Sequence, residues 1–142
     1  KFGVAESLDD TMRTTKDLMS KNKDLKGVVA FGSQGPIGAG RAVQQRNKID
    51  DICVVGPFSP GQGESLVMSG AIDGGYIWNP MTAGEVFVRV AKMMMNGEEV
   101  KDGMTIDGMG QVKVDAQTRT ILGNQVESED KENIKKLVQM GL

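Results

Sequence analysis

Four short apolar runs that alternate with helix-like stretches are the feature that most restricts the fold of this chain. Strands that are apolar throughout are typical of parallel sheets with both faces covered. A repeated strand–helix order places the strands parallel to one another through right-handed crossovers. The sequence therefore predicts the α/β class, with a parallel sheet and helices on both faces. The predicted strands are residues 2–5, 27–31, 52–56 and 71–78.

The clearest helix follows the fourth predicted strand. Asn79 is a residue type that favours the N-cap, and Pro80 suits the first helical position. The apolar residues after them recur at i, i+3, i+4 and i+7, which places them on one face of an α-helix. Gly97 is expected to end this helix. The apolar stripe consists of Ala83, Val86, Phe87, Val90, Ala91 and Met94.

Other helix and strand boundaries follow from capping residues and breaks in periodicity. Ser7 is expected to cap the first helix, and Ser128 is expected to cap the last one. Residues 36–45 and 64–68 are predicted to be helical. Residues 104–114 are rich in glycine and are expected to be extended, and residues 119–126 are predicted to form a further strand.

The residue inventory disfavours several classes of function. The chain has no histidine and one cysteine, Cys53, so imidazole catalysis, Cys/His zinc sites and an internal disulfide are excluded. Seventeen basic and nineteen acidic residues give a net charge of −2 with no basic run, so nucleic acid is not an expected partner. No run approaches the roughly 20 apolar residues of a membrane span. We expect no enzyme active site, because no convergent carboxylate or nucleophile pair is visible.

The glycines after the second predicted strand do not indicate a cofactor. Gly32, Gly35 and Gly38 depart from the G-x-G-x-x-G spacing, and no acidic residue ends a strand about 20 positions later. Gly38 and Gly40 are expected to let their helix pack closely on the sheet. The methionines at 93–95 are more simply core packing than a soft-metal site. We therefore predict neither a cofactor nor a metal.

Polar and aromatic residues follow three of the predicted strands. In parallel α/β sheets, ligands bind beyond the carboxyl ends of the strands. Amides and hydroxyls can pair with the hydroxyls of a small sugar or polyol, while aromatic rings cover its C–H face. A structural interpretation is also open, with the two aromatic rings in the core and the asparagine serving only as a cap. The candidate ligand-binding residues are Gly32, Ser33, Gln34, Phe58, Ser59, Trp78 and Asn79.

Three segments, in this order, resemble the C-terminal half of the type I periplasmic binding proteins. They read VVAFGSQGPIGAGRAV, DDICVVGPFSPGQGESLVMSGAIDGGYIWNP and AGEVFVRVAKMMMNGEEV. The family comprises the solute receptors of sugar ABC importers, including ribose-, rhamnose- and autoinducer-2-binding members. The resemblance implies two α/β lobes joined by a three-segment hinge, with the ligand clamped between them.

The resemblance also assigns roles by position. Residues 32–34 and 57–59 match two ligand-binding loops, and Trp78 with Asn79 matches a hinge position that carries binding residues. Ribose receptors have a binding aspartate in the loop that matches 57–59. No acid stands there in this chain, so the resemblance points toward the rhamnose and autoinducer-2 branch. The implied partners are a sugar or polyol-like ligand and an ABC permease, in the periplasm or cell envelope.

The sequence departs from the family in its extent. It lacks the N-terminal lobe and the first strand and helix of the C-terminal lobe, and no signal peptide is recognised. We expect one partial domain, with a lobe segment at 1–78, an inter-lobe helix at 80–96 and a hinge return with a C-terminal extension at 97–142. The uncovered helical stripe and the gap left in the parallel sheet predict that the lobe is completed by dimerisation into a homodimer, or by swapping elements with a second copy. Two alternatives stay open: a sensor module with the fold of LacI-type effector domains, or a ligand-free remnant.

Overall fold

The computed structural model describes residues 6–142, which form two compact units. The first unit contains the residues up to Ile77 together with Ser128–Leu142, and the second is Trp78–Glu127. The C-terminal segment therefore belongs to the first unit. The assignment of residues 1–142 to one partial domain stays a prediction. The strand predicted at residues 2–5 lies outside the described residues.

Helices and strands alternate as predicted through the first half of the chain. The helices are α1 Leu8–Lys21, α2 Gly35–Gln45, α3 Pro60–Ser69, α4 Pro80–Met95 and α5 Ile134–Gln139. The strands are β1 Gly27–Val29, β2 Cys53–Val55, β3 Tyr76–Ile77, β4 Thr105–Ile106, β5 Gly110–Gln111, β6 Lys113–Asp115, β7 Thr120–Leu122 and β8 Glu127–Ser128. Within residues 6–142, no helix combines the length and the apolar character needed to cross a membrane.

Strands β1 and β2 form the predicted parallel pair. Val28 lies opposite Val54 in the register. Val55 then makes an isolated parallel bridge to Gly74, so a third segment continues the sheet. The side chain of Asp73 supports this arrangement, because its Oδ2 accepts a hydrogen bond from the Val54 N–H at 2.7 Å. The carboxyl ends of β1 and β2 consequently lie at the same edge of the sheet.

The core of the first unit lies between α2, α3, α5 and β2. Two glycines of α2 allow its neighbours to approach closely. A Cβ at Gly38 would lie 2.8 Å from the Leu8 carbonyl oxygen of α1, and one at Gly40 would lie 2.7 Å from the Ile72 side chain. Both glycines allow close packing, but Gly38 packs against α1 and not on the sheet as predicted. The fully buried apolar residues include Ile37, Val43, Val54, Val67, Ile72, Ile134 and Leu137.

The second unit consists of α4 and two antiparallel hairpins, β4–β5 and β6–β7. Asn79 caps α4 as predicted: its Oδ1 accepts from the N–H groups of Met81 and Thr82 at 3.0 and 3.4 Å. Of the predicted apolar stripe only Val86 is buried, whereas Phe87 is 73% exposed. Arg89 pairs with Asp107 at 3.1 Å and so joins α4 to the turn between β4 and β5.

Two predicted boundaries are wrong for local reasons. Ser128 does not cap the last helix; it lies in β8, and its hydroxyl accepts a hydrogen bond from Asn133 Nδ2 at 2.7 Å. Asp130 instead bonds the N–H groups of Glu132 and Asn133, and this turn delays α5 to residue 134. The strand predicted at 71–78 shrinks to β3, because Gly70 ends α3 in the left-handed conformation and the next residues enter the core.

Candidate ligand-binding site

The loop after β1 presents Ser33 and Gln34 at the start of α2. Gly32 is buried, and its carbonyl oxygen accepts from the Gly35 N–H at 2.8 Å, which closes the turn. Gln34 is the N-cap residue of α2, but its side chain makes no capping hydrogen bond. Its Nε2 donates instead to Oε1 of Gln62 in α3 at 3.1 Å. The exposed Ser33 hydroxyl lies 3.4 Å from Glu6 Oε2.

The loop after β2 places Ser59 at the start of α3. Ser59 is half-buried, and its carbonyl oxygen accepts from the N–H groups of Gln62 and Gly63, both at 3.0 Å. Its hydroxyl makes no capping hydrogen bond. Because Gln62 follows Ser59 by less than one turn and also bonds Gln34, the structure brings the β1 and β2 exit loops together.

Phe58 does not face a ligand-binding surface. Its side chain is 2% exposed and belongs to the core cluster of the first unit. The ring packs directly on α3, where a Cβ at Gly63 would lie 2.2 Å from a ring carbon. Of the two interpretations open from the sequence, a ring at the ligand or a ring in the core, the core interpretation is correct for Phe58, because the glycine at position 63 leaves a space that the ring fills. The prediction that Phe58 binds the ligand is therefore wrong.

A buried carboxyl group, not identified from the sequence, lies behind the β2 exit loop. Glu129 has 0% relative exposure, and its Oε2 accepts a hydrogen bond from the Phe58 N–H at 3.3 Å. Its Oε1 is the one buried side-chain nitrogen or oxygen in residues 6–142 without a hydrogen-bond partner. Burial raises the pKa of the Glu129 carboxyl to about 7, and the Phe58 N–H opposes this shift in part.

The backbone fixes Glu129 in this position. Its N–H donates to the Gly75 carbonyl oxygen at 2.9 Å, and its carbonyl oxygen accepts from the Gly75 N–H at 3.1 Å. Position 75 has no room for a side chain, because a Cβ there would lie 2.0 Å from the Gly56 carbonyl oxygen and 2.7 Å from Glu129 Oε2. In the sequence Glu129 belongs to the acidic stretch 127–132, which reads as a solvated surface, so no local signal distinguishes it.

In the second unit, Trp78 and Asn79 line an open groove beside α4. The indole is 59% exposed, so Trp78 is not a core side chain. Asn79 uses its Oδ1 for the helix cap, whereas its Nδ2 donates to no group in the described part of the chain. The groove has a volume of about 500 Å³. Its remaining lining residues are Thr82, Ala83, Val86, Phe87, Gly108, Met109, Gly123 and Gln125.

The first unit has a cavity at the amino ends of β1 and β2, the sheet edge opposite the strand-exit loops. It has a volume of about 450 Å³. Four basic residues line it, with Asp51 bonded to Lys48 at 2.6 Å. This cavity contains none of the candidate residues. Its basic residues are Lys23, Lys26, Arg46 and Lys48.

The comparison with protein families identifies the class of protein. The family described as "periplasmic binding protein domain" matches this sequence over residues 2–99, which is more than half of the chain. The chain therefore belongs to the periplasmic binding protein family. The resemblance inferred from the sequence is confirmed. A comparison with curated protein sequences finds no match.

Solved structures give the same fold at low sequence identity. LsrB from Clostridium saccharobutylicum in complex with AI-2 has a TM-score of 0.70 and 16% identity, over 92% of this chain and 45% of that one. A sugar ABC transporter protein from Actinomyces odontolyticus has a TM-score of 0.76 and 17% identity, over 92% and 43%. An ABC transporter solute binding protein from Clostridium phytofermentas with bound L-rhamnose has a TM-score of 0.73 and 15% identity, over 95% of this chain and 46% of that one. The chain thus spans less than half the length of these proteins, and the predicted fold class is confirmed.

Proposed function

We propose that this chain is the solute-binding component, or one half of that component, of an ABC-type sugar importer. It binds a small carbohydrate-like ligand in the periplasm and presents it to a membrane permease, without catalysis. The proposed binding groups are Gly32, Ser33, Gln34, Ser59, Trp78 and Asn79. Family membership supports the class of function, and the side chains of the strand-exit loops support the kind of ligand.

The observation that carries the proposal is the pair of helix starts in the first unit. Gln34 and Ser59 are both N-cap residues, yet neither side chain is used for capping. One N–H of the Gln34 amide bonds Gln62, which leaves its second N–H and its oxygen, together with the Ser59 hydroxyl, available at the carboxyl edge of the sheet. Such groups can both donate to and accept from sugar hydroxyls.

The exposed indole of Trp78 supports a ligand with an apolar face. A sugar ring has a C–H face that packs on an aromatic ring, while its hydroxyls bond amides such as Asn79. The proposed groups carry no formal charge, which favours a neutral ligand. Because the 57–59 loop has no acid, we propose a rhamnose-like or AI-2-like ligand rather than ribose.

Titration calorimetry with pentoses, polyols, L-rhamnose and AI-2 tests the proposal. We expect one member of this panel to bind, and Gln34→Ala to weaken that binding about tenfold, the effect of losing roughly one hydrogen bond. Gln45→Ala is the matched control, since it removes an exposed glutamine from the other end of α2. Absence of binding across the panel, or equal weakening by both variants, would contradict the proposal.

We also propose that two copies associate. Phe87 and Val88 of α4 are 73% and 71% exposed, and Met95 is 88% exposed. In the first unit, Val29 and Phe31 at the β1 edge are 63% and 75% exposed. Exposed apolar side chains in groups favour association.

Light scattering after size exclusion should give twice the chain mass for the wild type. Phe87→Glu should shift the measured mass toward that of the monomer, while the control Glu85→Gln should leave it unchanged. A wild-type monomer at tens of micromolar would refute the dimer.

A further inference from the structure

Three chain segments of the first unit meet around the Glu129 side chain. They are the β2 exit at 56–58, the glycine pair before β3 at 74–75, and the returning C-terminal segment at Glu129. Backbone hydrogen bonds join the second segment to the other two: Gly56 N–H to the Gly74 carbonyl at 3.2 Å, and the reciprocal pair between Gly75 and Glu129. These bonds leave residues 57–59 without a backbone bond to either of the other two segments. The single link is the Phe58 N–H to Glu129 Oε2, at 3.3 Å.

We propose that Glu129 is a positioning residue for the ligand loop, holding Ser59 in place through the Phe58 N–H. The inference rests on the proposed function of Ser59. The acceptor is anchored on both sides by the Gly75 bonds, so it is rigid, whereas the loop it holds lies between a glycine and the start of α3. Phe58 is the centre of this loop, and its buried ring fixes the side-chain end. The Glu129 carboxyl fixes the main-chain end.

The surroundings of the carboxyl determine which side chains can replace it. The absent side chain of Gly75 leaves the space that Glu129 Oε2 occupies, since a Cβ at position 75 would lie 2.7 Å from that oxygen. Oε2 accepts from the Phe58 N–H, whereas Oε1 has no hydrogen-bond partner. A glutamine can keep an oxygen at the Phe58 N–H and place its amide nitrogen where Oε1 lies. Glutamine at 129 should therefore keep the loop in place, and an apolar isostere should release it.

Amide hydrogen exchange and calorimetry on the full chain separate positioning from general stability. We expect Glu129→Met to raise the exchange rate of the Phe58 amide at least tenfold, while the Val54 amide, held by Asp73, keeps its rate. Glu129→Gln should stay close to wild type in both amides. Glu132→Met, a substitution of an exposed glutamate three residues further on, is the control. Unchanged Phe58 exchange in Glu129→Met would overturn the proposal.

The calorimetric binding measurements use L-rhamnose and AI-2 as probes. Glu129→Met should weaken binding about tenfold and Glu129→Gln should restore it, which a loss of global stability alone would not produce. Equal binding by wild type and Glu129→Met would overturn the positioning role. If wild type binds neither probe, the proposed function is contradicted for these ligands, and Phe58 exchange alone decides whether Glu129 holds the loop.

If Glu129→Met does not fold, a pH titration of the wild type by NMR replaces the variant. The shifts of the Phe58 amide and of the Glu129 carboxyl should then titrate with one midpoint, and separate midpoints would refute the contact.

Discussion

The two units of this chain use the same kind of helix in opposite ways. In the first unit, Ile37, Ala39 and Val43 of α2 are no more than 1% exposed. In the second unit, α4 has an equally regular apolar stripe, yet only Val86 is buried and Phe87 is 73% exposed. Both helices form, because local signals begin and end them: Pro36 and Pro80 lie in the first turns, and Asn79 caps α4. Periodicity thus predicts the helix, while the partner surface decides whether its face is covered.

The largest expected effect comes from removing an aromatic ring from each unit. Phe58→Ala should cost about 3–5 kcal/mol of unfolding free energy, because it leaves a cavity in the core beside Gly63. Phe87→Ala should change stability by less than about 0.5 kcal/mol at concentrations where the chain is monomeric. Urea unfolding of both variants measures the difference. A cost above 2 kcal/mol for Phe87→Ala under those conditions would show that the α4 stripe is covered within one chain.

The second test uses the pH dependence of the buried carboxyl in the first unit. The pKa of Glu129 is about 7 in the folded chain and 4.5 as its ordinary value. The folded state therefore binds this proton more tightly, so its stabilising effect is complete below pH 4.5 and is lost as the pH rises through 7. The loss should reach about 3 kcal/mol. Glu129→Gln cannot titrate, so the stability of wild type relative to this variant should fall between about pH 5 and pH 8. A constant difference over that range would mean that the carboxyl group is solvated.

The third test compares two helix starts, one from each unit. Asn79→Ala should cost about 1 kcal/mol, because Oδ1 bonds two N–H groups at the start of α4. Ser59→Ala should leave stability within about 0.5 kcal/mol, because its hydroxyl makes no capping bond. Chemical unfolding, with amide exchange of Met81 and Thr82 as the local readout, measures both. A loss near 1 kcal/mol for Ser59→Ala would mean that its hydroxyl is already engaged, which weakens its proposed role in binding.

Elements that depend on neighbouring residues were predictable from the sequence. The caps at Ser7 and Asn79 form as predicted, because a cap is decided within three or four residues. The parallel pairing of β1 and β2 also follows from the strand–helix order. The length of the third strand was not predictable, since residues 71–72 serve the core after the turn at Gly70.

The candidate site was predictable only in part, for the same physical reason. Sequence places Ser33, Gln34 and Ser59 at strand exits, and the structure brings these loops together through Gln62. The direction of a side chain depends on three-dimensional packing: the Phe58 ring enters the core because Gly63 of α3 leaves space for it. Glu129 lies 71 residues from Phe58 in the chain, so no local pattern reveals their hydrogen bond.

The most direct test of the account compares the two edges of the sheet in the first unit. Amide NMR shifts should be recorded while L-rhamnose or AI-2 is added to the chain. If the groups at the carboxyl edge bind the ligand, the shifts of Ser33, Gln34 and Ser59 should move together with one saturation curve, and those of Lys26 and Lys48 at the basic cavity should stay fixed. Movement confined to Lys26 and Lys48, or no movement at either edge, would contradict the proposed binding site.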